Sequence, residues 1–222
     1  MSLALPVAMT PPASAALPVV ETFHSIQGEG SHAGRSAFFL RLAGCTVGCP
    51  WCDTKGSWPQ QAHPLRPLAA LAAELTAAAA AGAAFVVITG GEPLHHDLTA
   101  LCAQLRGAVD PPLPLHLETS GVDRLSGRFD WITLSPKRHR PPLQELLSCC
   151  DELKVVVHEP DDLAFATAMA AAARQERHTA PPQLLLQPGW QSSQGRALAL
   201  EFVRARPDWR LSLQSHKWLG VR

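Results

Sequence analysis

Residues 36 to 54 read SAFFLRLAGCTVGCPWCDT. The apolar segment Ala37 to Leu42 predicts a buried strand, and Cys45, Cys49 and Cys52 follow it at the spacing C-x3-C-x2-C. Three thiolates are one short of the four that a closed structural zinc site or a fully protein-ligated iron–sulfur cluster needs. The stretch therefore predicts a metal centre with one open position, which is typical of a catalytic site.

The cysteines alone do not identify the metal. A zinc knuckle needs a fourth Cys or His nearby, and the next downstream candidate, His63, follows Cys52 only after a polar stretch. The spacing favours an iron–sulfur cluster, with zinc as the alternative. We interpret Cys102, Cys149 and Cys150 as small buried hydrophobic residues. Clustered cysteines in a chain of this length indicate metal or redox chemistry in a reducing cytoplasm.

The wider pattern alternates strands with helices. Strands are predicted at 36–42, 84–88, 114–118, 130–134, 153–157, 184–186 and 210–213. Helices are predicted near 68–82, 97–108, 143–147, 161–175 and 194–205. This order predicts an α/β fold, an incomplete TIM-type (β/α) barrel with six or seven mainly parallel strands. Because most strands end in a polar or glycine-containing cluster, we expect the active site at their C-terminal edge.

Composition limits the classes of function. The chain has 222 residues, 46% of them hydrophobic and 17% charged, with a formal net charge of zero. This suits one globular domain and provides no basic excess for nucleic acid. Residues 1–17 are rich in Ala and Pro, without a positive charge, and predict a flexible N-terminal arm before a single core domain at 18–222. No uninterrupted apolar segment predicts a membrane span.

The cysteine spacing, with Trp51 before the third cysteine and Gly90-Gly91-Glu92-Pro93 after the second strong strand, resembles the radical S-adenosylmethionine (SAM) superfamily. The resemblance implies a 4Fe-4S cluster on Cys45, Cys49 and Cys52, whose free iron is chelated by SAM. A reducing electron then splits SAM into methionine and a 5′-deoxyadenosyl radical, so no catalytic side chain is expected. The implied SAM-binding residues are Trp51, Gly91, Glu92, Ser135, Lys137 and Gln187.

A finer resemblance is to the 7-carboxy-7-deazaguanine synthase family, and four groups of segments between residues 25 and 217 carry it. They are Ser25–Gly30 with Phe39–Gly44; Cys52-Asp53-Thr54; Glu118–Gly121 with Ser135–Lys137; and Leu213–Lys217. The resemblance implies conversion of 6-carboxy-5,6,7,8-tetrahydropterin to 7-carboxy-7-deazaguanine with loss of ammonia, in queuosine biosynthesis. It also implies Mg²⁺ at Thr54, a flavodoxin or ferredoxin as electron donor, and a homodimer.

The residue chemistry fits a small polar substrate. Gln27 and Glu29 offer groups complementary to the amino-pyrimidinone edge of a pterin, and Arg41 suits a substrate carboxylate. A hydroxyl such as that of Thr54 suits Mg²⁺. The predicted substrate-binding residues are Ile26, Gln27, Gly28, Glu29, Arg41, Thr89, Gly90 and His216.

Structural alternatives stand beside these roles. Arg41 could form a surface ion pair, Glu29 could pair with Arg35, and Thr54 could only cap a turn. Ser135 and Lys137 could form an ordinary turn, Glu118 could join neighbouring loops, and Lys154 could point inward or lie along an edge with its charge in water. His95 and His96 are predicted to face solvent. The rival functions are a glycyl-radical-activating radical SAM enzyme and a zinc-binding interaction module without catalysis.

Overall fold

A computed structural model of the chain describes residues 15–176 and 180–222. Residues 1–14 of the predicted arm therefore lie outside the described residues. Ala16 and Leu17, which the prediction assigned to the arm, belong to the first strand and pair there with another strand.

The described residues form one nine-stranded sheet. Its strands are β1 (Ala16–Ile26), β2 (Ser36–Leu42), β3 (Leu65–Pro67), β4 (Val86–Gly90), β5 (Leu115–Thr119), β6 (Trp131–Leu134), β7 (Glu152–Val157), β8 (Gln183–Pro188) and β9 (Trp209–Leu211). The α-helices in the described ranges are α1 (Leu68–Ala80), α2 (Thr99–Arg106), α3 (Gln144–Cys149), α4 (Pro160–Glu176), α5 (Ser193–Ala205) and α6 (Ser215–Leu219). None of the described helices is both long enough and apolar enough to cross a membrane.

The sheet order is β3-β1-β2-β4-β5-β6-β7-β8-β9, with β3 and β9 as open edges. From β2 to β9 all neighbours are parallel, so the predicted mainly parallel α/β class is confirmed. The predicted strand count is too low, because β1 and β3 add two antiparallel strands at one edge. Because β1 is antiparallel to β2, the loop after β1 begins at the amino ends of the parallel strands. This is the end of the sheet opposite to the C-terminal strand ends.

The two faces of the sheet differ in chemistry because side chains alternate along each strand. One face, called here the helix face, carries Leu40, Ile88, Leu117 and Leu153, all fully buried against the apolar sides of the helices. This face holds the main hydrophobic core, where truncating a buried leucine to alanine costs about 2–5 kcal/mol.

The opposite face, called here the cavity face, is mixed. Near the amino ends of the strands it is filled by aromatic rings, including Phe85, His116 and Trp131, against which His32 packs. Burial lowers the pKa of His116 to about 3, so this ring is a neutral packing element. Nearer the carboxyl ends the same face carries Glu118 and Lys154, and there the sheet opens into a cavity.

Candidate active site

A cavity of about 620 Å³ lies on the cavity face, at the C-terminal strand ends. All the residues predicted above to bind the cluster, SAM, magnesium or substrate line it: Ile26, Gln27, Gly28, Glu29, Arg41, Cys45, Cys49, Trp51, Cys52, Thr54, Thr89, Gly90, Gly91, Glu92, Ser135, Lys137, Gln187 and His216. The predicted position at the strand ends is thus what the structure shows. One part differs, because the Gln27–Glu29 segment arrives from the opposite edge after β1.

The cysteine loop is fixed by backbone hydrogen bonds at its base. Gly44 N donates to Ser57 O over 2.8 Å, and Cys45 N donates to Trp58 O over 3.2 Å. Burial raises the pKa of both the Cys45 and the Cys49 thiols. Because metal ligation requires thiolates, iron binding to these cysteines would release protons.

The three cysteines do not fit a single zinc ion. Ligands of one tetrahedral zinc, at about 2.3 Å each, lie roughly 4 Å from one another. Within residues 15–176 and 180–222, no group of three or more His, Cys, Asp or Glu side chains is close enough to hold one metal ion. Three thiols that face one cavity suit a larger group in which each thiol binds a different iron.

The glycines of the Gly90-Gly91-Glu92 segment allow it to lie against the cysteine loop. A Cβ on Gly91 would lie 2.3 Å from Gly44 O, and Gly90 has φ of +149°. Gly91 N and Glu92 N each donate over 2.9 Å to the backbone of residues 42–44. These contacts place the end of β4 directly beside the first cysteine.

The Glu92 carboxylate is occupied within the protein. It accepts hydrogen bonds from the Thr119 hydroxyl, from the Ser120 hydroxyl and backbone, and from Leu94 N. It is almost fully buried. The predicted SAM contact of Glu92 therefore has no support from its carboxylate, which instead ties the β4 and β5 ends together.

Lys137 and Ser135 lie at the end of β6. The Lys137 Nζ donates to Ser135 Oγ over 2.8 Å, and burial lowers the pKa of Lys137. A buried ammonium whose hydrogen-bond partner is a neutral hydroxyl suits an anionic ligand group. Both residues are suitably placed for their predicted role.

Gln187 lies elsewhere in the cavity. Its Oε1 accepts from Ser212 Oγ over 2.7 Å, and its side chain also reaches the Glu29 carboxylate. It thus lies beside the predicted substrate residues, and its contacts do not support the predicted SAM role.

Glu118 occupies the centre of the cavity face. Gln27 Nε2 donates to its Oε1 and Thr89 Oγ1 donates to its Oε2, both over 3.0 Å. Gln27 Oε1 accepts from Glu29 N over 3.1 Å, which orients the Gln27 amide. Since each carboxylate oxygen has a further lone pair, Glu118 retains acceptor capacity toward a ligand.

A buried ion pair lies beside Glu118. Glu29 pairs with Lys154, and Gln214 Nε2 donates to Glu29 Oε1 over 2.9 Å. Burial alone would raise the pKa of Glu29, but the Lys154 ammonium and hydrogen bonds lower it to about 2. Burial alone would lower the pKa of Lys154, but the neighbouring carboxylates, Glu29 first, raise it above its ordinary value. The alternative Glu29–Arg35 pair is wrong, and Lys154 points inward.

Arg41 and Thr54 line the cavity on either side of the cysteine loop. Arg41 Nε donates to Glu21 Oε1 over 3.0 Å, and among the described residues Glu21 is its only hydrogen-bond partner. The surface ion pair that was the alternative for Arg41 therefore exists, and Arg41 also lines the cavity. Thr54 Oγ1 lies 3.5 Å from Cys52 Sγ, directly beside the third cysteine.

The segment around α6 closes the cavity from the other end of the sequence. The His216 ring packs on Gly28, where a Cβ would lie 2.2 Å from the His216 Nδ1. Ser215 N donates to Gly28 O over 2.9 Å, and Lys217 pairs with Asp53. The C-terminal residues therefore contact both the substrate loop and the cysteine loop.

Several lining residues were missed by the sequence interpretation, among them Asp53, His158, Trp190 and Gln214. Asp53 directly follows the third cysteine and Gln214 precedes Ser215, so their positions next to motifs gave a usable signal. His158 and Trp190 follow strand ends, as the strand-end rule would suggest. Trp51, which was predicted, packs its ring 5.5 Å from that of His139 and 5.2 Å from that of His158.

The prediction that His95 and His96 face solvent is wrong. His96 Nε2 lies 2.8 Å from Ala43 O, and His95 Nε2 accepts from Thr46 N over 3.1 Å. The other ring nitrogen of His95 pairs with Asp123. Both histidines therefore contact the backbone of the cysteine loop, which sequence spacing alone does not indicate.

Comparisons with known proteins agree with this geometry. The family profile of the Radical SAM superfamily matches residues 40–137. The chain is 52% identical to "7-carboxy-7-deazaguanine synthase" of Prochlorococcus marinus, over 94% of this chain and 99% of that relative. It is 33% identical to the protein of the same name from Escherichia coli K12, over 92% of this chain and 98% of that one.

A solved structure is also similar. "Crystal structure of QueE from Escherichia coli" matches with a TM-score of 0.75 and 31% identity, covering 90% of this chain and 95% of that chain. The superfamily carries a 4Fe-4S cluster and SAM, which the cavity residues fit. On these similarities, which run over nearly the whole length of both partners, the chain belongs to the 7-carboxy-7-deazaguanine synthase family of the radical SAM superfamily.

Proposed function

We propose that this protein converts 6-carboxy-5,6,7,8-tetrahydropterin to 7-carboxy-7-deazaguanine with loss of ammonia, as a step of queuosine biosynthesis. The observation that carries the proposal is the single cavity shared by the three-cysteine loop, the Gly90-Gly91 segment and the Gln27–Glu29 loop. Cluster, cofactor and substrate groups would thus meet in one shared space. The names of relatives covering more than nine-tenths of the chain support the same reaction.

Recognition of the pterin edge is assigned to Glu118 with Gln27. A pterin presents an exocyclic amino group and a ring N–H side by side, and a carboxylate accepts both. Gln27 and Thr89 hold the Glu118 carboxylate in place before the substrate arrives. Such preorganisation lowers the entropic cost of binding.

Recognition of the substrate carboxylate is assigned to Arg41, which lines the cavity and whose Nε donates to Glu21. Thr54 would hold Mg²⁺ through its hydroxyl, because Mg²⁺ prefers oxygen ligands and keeps several waters. One hydroxyl from the protein is then enough.

On the cofactor side, Cys45, Cys49 and Cys52 would hold the cluster, and Lys137 with Ser135 would bind the SAM carboxylate. When bound, the cluster and SAM supply the radical that removes a hydrogen atom from the substrate. The chain's own contribution is to hold the reacting groups in contact and to exclude water. The Glu29–Lys154 pair and α6 close the cavity around them.

The rival functions fit less well. An activating enzyme for glycyl radicals must admit a protein segment, whereas this cavity is closed on one side by His216 against Gly28. A zinc module requires ligands that converge on one ion, which the described residues do not provide.

Other features of the proposal follow from the family. We infer that the open sheet is a partial (β/α) barrel, since seven parallel strands follow one another in chain order. A flavodoxin or ferredoxin would supply the electron, and the protein would act as a homodimer in the cytoplasm. We divide the chain into an arm at its start and one core domain.

The test is an anaerobic incubation of the reconstituted protein with reductant, SAM, Mg²⁺ and 6-carboxytetrahydropterin, followed by mass analysis. We expect 7-carboxy-7-deazaguanine, and a brown protein with absorbance near 400 nm. Release of 5′-deoxyadenosine without the deazaguanine acid would reject the substrate while keeping the superfamily chemistry. A colourless protein with one bound zinc would reject both.

A further inference from the structure

The Cys45 sulfur receives hydrogen bonds from the backbone of its own loop. The N–H groups of Val47 and Gly48 are both directed at it. Each of these N–H groups belongs to a peptide unit whose other end is a carbonyl, that of Thr46 and that of Val47 respectively. The partners of those two carbonyls therefore influence the strength of the bonds to sulfur.

Both carbonyls are bonded by side chains of a single turn. Arg140 NH1 donates to Thr46 O over 2.7 Å and to Thr46 Oγ1 over 2.9 Å. His139 Nε2 lies 3.1 Å from Val47 O, so it is the protonated nitrogen of that ring. Two chains of hydrogen bonds result. One runs from Arg140 through the Thr46–Val47 peptide to the sulfur, and the other runs from His139 through the Val47–Gly48 peptide to the sulfur.

The turn that carries these side chains is itself fixed. Arg140 N donates to Lys137 O over 3.1 Å, and the Trp51 ring packs edge-on against His139. On the far side of Thr46, His95 Nε2 accepts the Thr46 N–H, and Asp123 pairs with the other nitrogen of that ring. Thr46 is thus held at both of its backbone polar groups, its N–H by His95 and its carbonyl by Arg140.

Hydrogen bonds to the sulfurs are one of the means by which proteins set the potential of an iron–sulfur cluster. They favour the reduced cluster, which carries one more negative charge. A cationic donor on the carbonyl of a peptide polarises that peptide and strengthens its N–H bond to sulfur.

We propose that Arg140 and His139 are positioning residues that raise the reduction potential of the cluster, by polarising the two peptides that donate to Cys45. This inference rests on the proposed function, since it requires the cluster on Cys45. It concerns the one-electron reduction that must precede any turnover, with the electron supplied by a flavodoxin- or ferredoxin-type donor. It assigns a role to two residues that do not contact the substrate.

The experiment compares Arg140→Leu with Arg138→Leu, a matched control. Arg138 is next to His139 in the same turn, but its side chain pairs with Glu159 and Asp161, away from the cysteine loop. Iron and sulfide are counted first, and the reduction potential is then measured by an anaerobic titration followed by electron paramagnetic resonance. At the wild-type midpoint we expect the ratio of reduced to oxidised cluster to fall about tenfold in Arg140→Leu, equal to about 59 mV. We expect less than about a twofold change in Arg138→Leu, because an exposed charge is screened.

Conservative variants separate a hydrogen bond from a packing role. Arg140→Lys and His139→Gln each keep a hydrogen-bond donor, so the reduction potential of the cluster should stay close to the wild-type value. Equal shifts in Arg140→Leu and Arg138→Leu, or no shift in Arg140→Leu, would overturn the inference. If Arg140→Leu does not take up iron, the amide signals of Val47 and Gly48 in the cluster-free protein decide. An upfield proton shift of Val47 N–H in Arg140→Leu alone supports the inference, and unchanged signals overturn it. A wild-type protein that forms no cluster would instead reject the proposed function.

Discussion

The helix face and the cavity face of the sheet are built from the same strands and follow different rules. Within β5, Leu117 faces the helices and Glu118 faces the cavity; within β7, Leu153 and Lys154 divide in the same way. The helix face is mostly apolar, so its residues are replaceable by others of similar volume. The cavity face holds charges in defined pairs, so each residue there depends on particular partners. Substitutions of adjacent residues should therefore affect different properties, stability on the helix face and activity on the cavity face.

The largest difference between two substitutions is expected for two of the cysteines. Cys49→Ala should remove the cluster and lower activity by more than about 10³-fold, because the radical chemistry needs all three ligands. Cys102 lies in the helix-face core, where burial raises the pKa of its thiol to about 11, so it is a neutral packing group. Cys102→Ser should keep the iron and cost about 1–3 kcal/mol of unfolding free energy. Iron content and urea unfolding of both variants measure this. Iron loss in Cys102→Ser would break the division between the faces.

The next effect concerns the buried ion pair. Lys154→Met leaves the Glu29 carboxylate buried without its cation, which should cost about 3–5 kcal/mol. The pKa of Glu29 is about 2 in the folded protein against 4.5 ordinarily. Its contribution to stability, on the order of 3 kcal/mol, is therefore complete above pH 4.5 and is lost as the pH falls toward 2. Urea unfolding of the wild type and of Glu29→Gln at pH 6 and pH 3 checks this. Equal pH dependence in the two proteins would contradict it.

A third pair sharpens the contrast within β5. Glu118→Gln should lower kcat/KM by about 10²-fold while leaving the melting temperature nearly unchanged, because it weakens a charge-assisted contact to the substrate. Leu117→Ala should cost about 2–5 kcal/mol of stability and leave kcat/KM of the folded protein unchanged. Steady-state kinetics and thermal unfolding of the two variants give the comparison. A stable Glu118→Gln protein with full kcat/KM would show that Glu118 only joins loops.

The smallest effect is expected where the cavity meets solvent. Lys217→Met removes the partly exposed pair with Asp53, and such pairs contribute about 0–1 kcal/mol. We expect KM to rise no more than about fivefold, with the difference shrinking at high salt. Measuring KM at 50 mM and 500 mM salt tests this. A larger loss that persists at high salt would place Lys217 in direct contact with the substrate.

The sequence predicted the parts of this molecule that depend on local pattern. The β-branched and apolar segments gave the seven parallel strands, and the strand-end rule placed Cys45, Gly91 and Lys137 in one region. β1 and β3 were not predicted because antiparallel strands near the edge of a sheet lack a continuous apolar signal, and Pro18 within β1 argues against a strand.

Contacts between distant segments were beyond sequence reasoning. Arg35 was the suggested partner of Glu29 because the two lie close in sequence. The partner in the structure is Lys154, which only the fold brings near. His95 was expected in water because nothing nearby in sequence covers it, and the cysteine loop does so. Gln187 contacts Ser212 and the Glu29 carboxylate, both of which are distant from it in sequence. In each case a pairing over long sequence separation decided the outcome.

The packing of His216 on Gly28 also has a consequence for how the protein matures. The hydrogen bond from Ser215 Oγ to Gly28 O joins positions 187 residues apart. Contacts of such separation require most of the chain to be ordered first, because loop closure costs entropy. The strands β1 to β8 and the helices between them precede α6 in the chain, so most of the sheet and its helix-face core can form before this contact closes the cavity. Cluster delivery would have a window before α6 is seated, when the three thiols are accessible from outside.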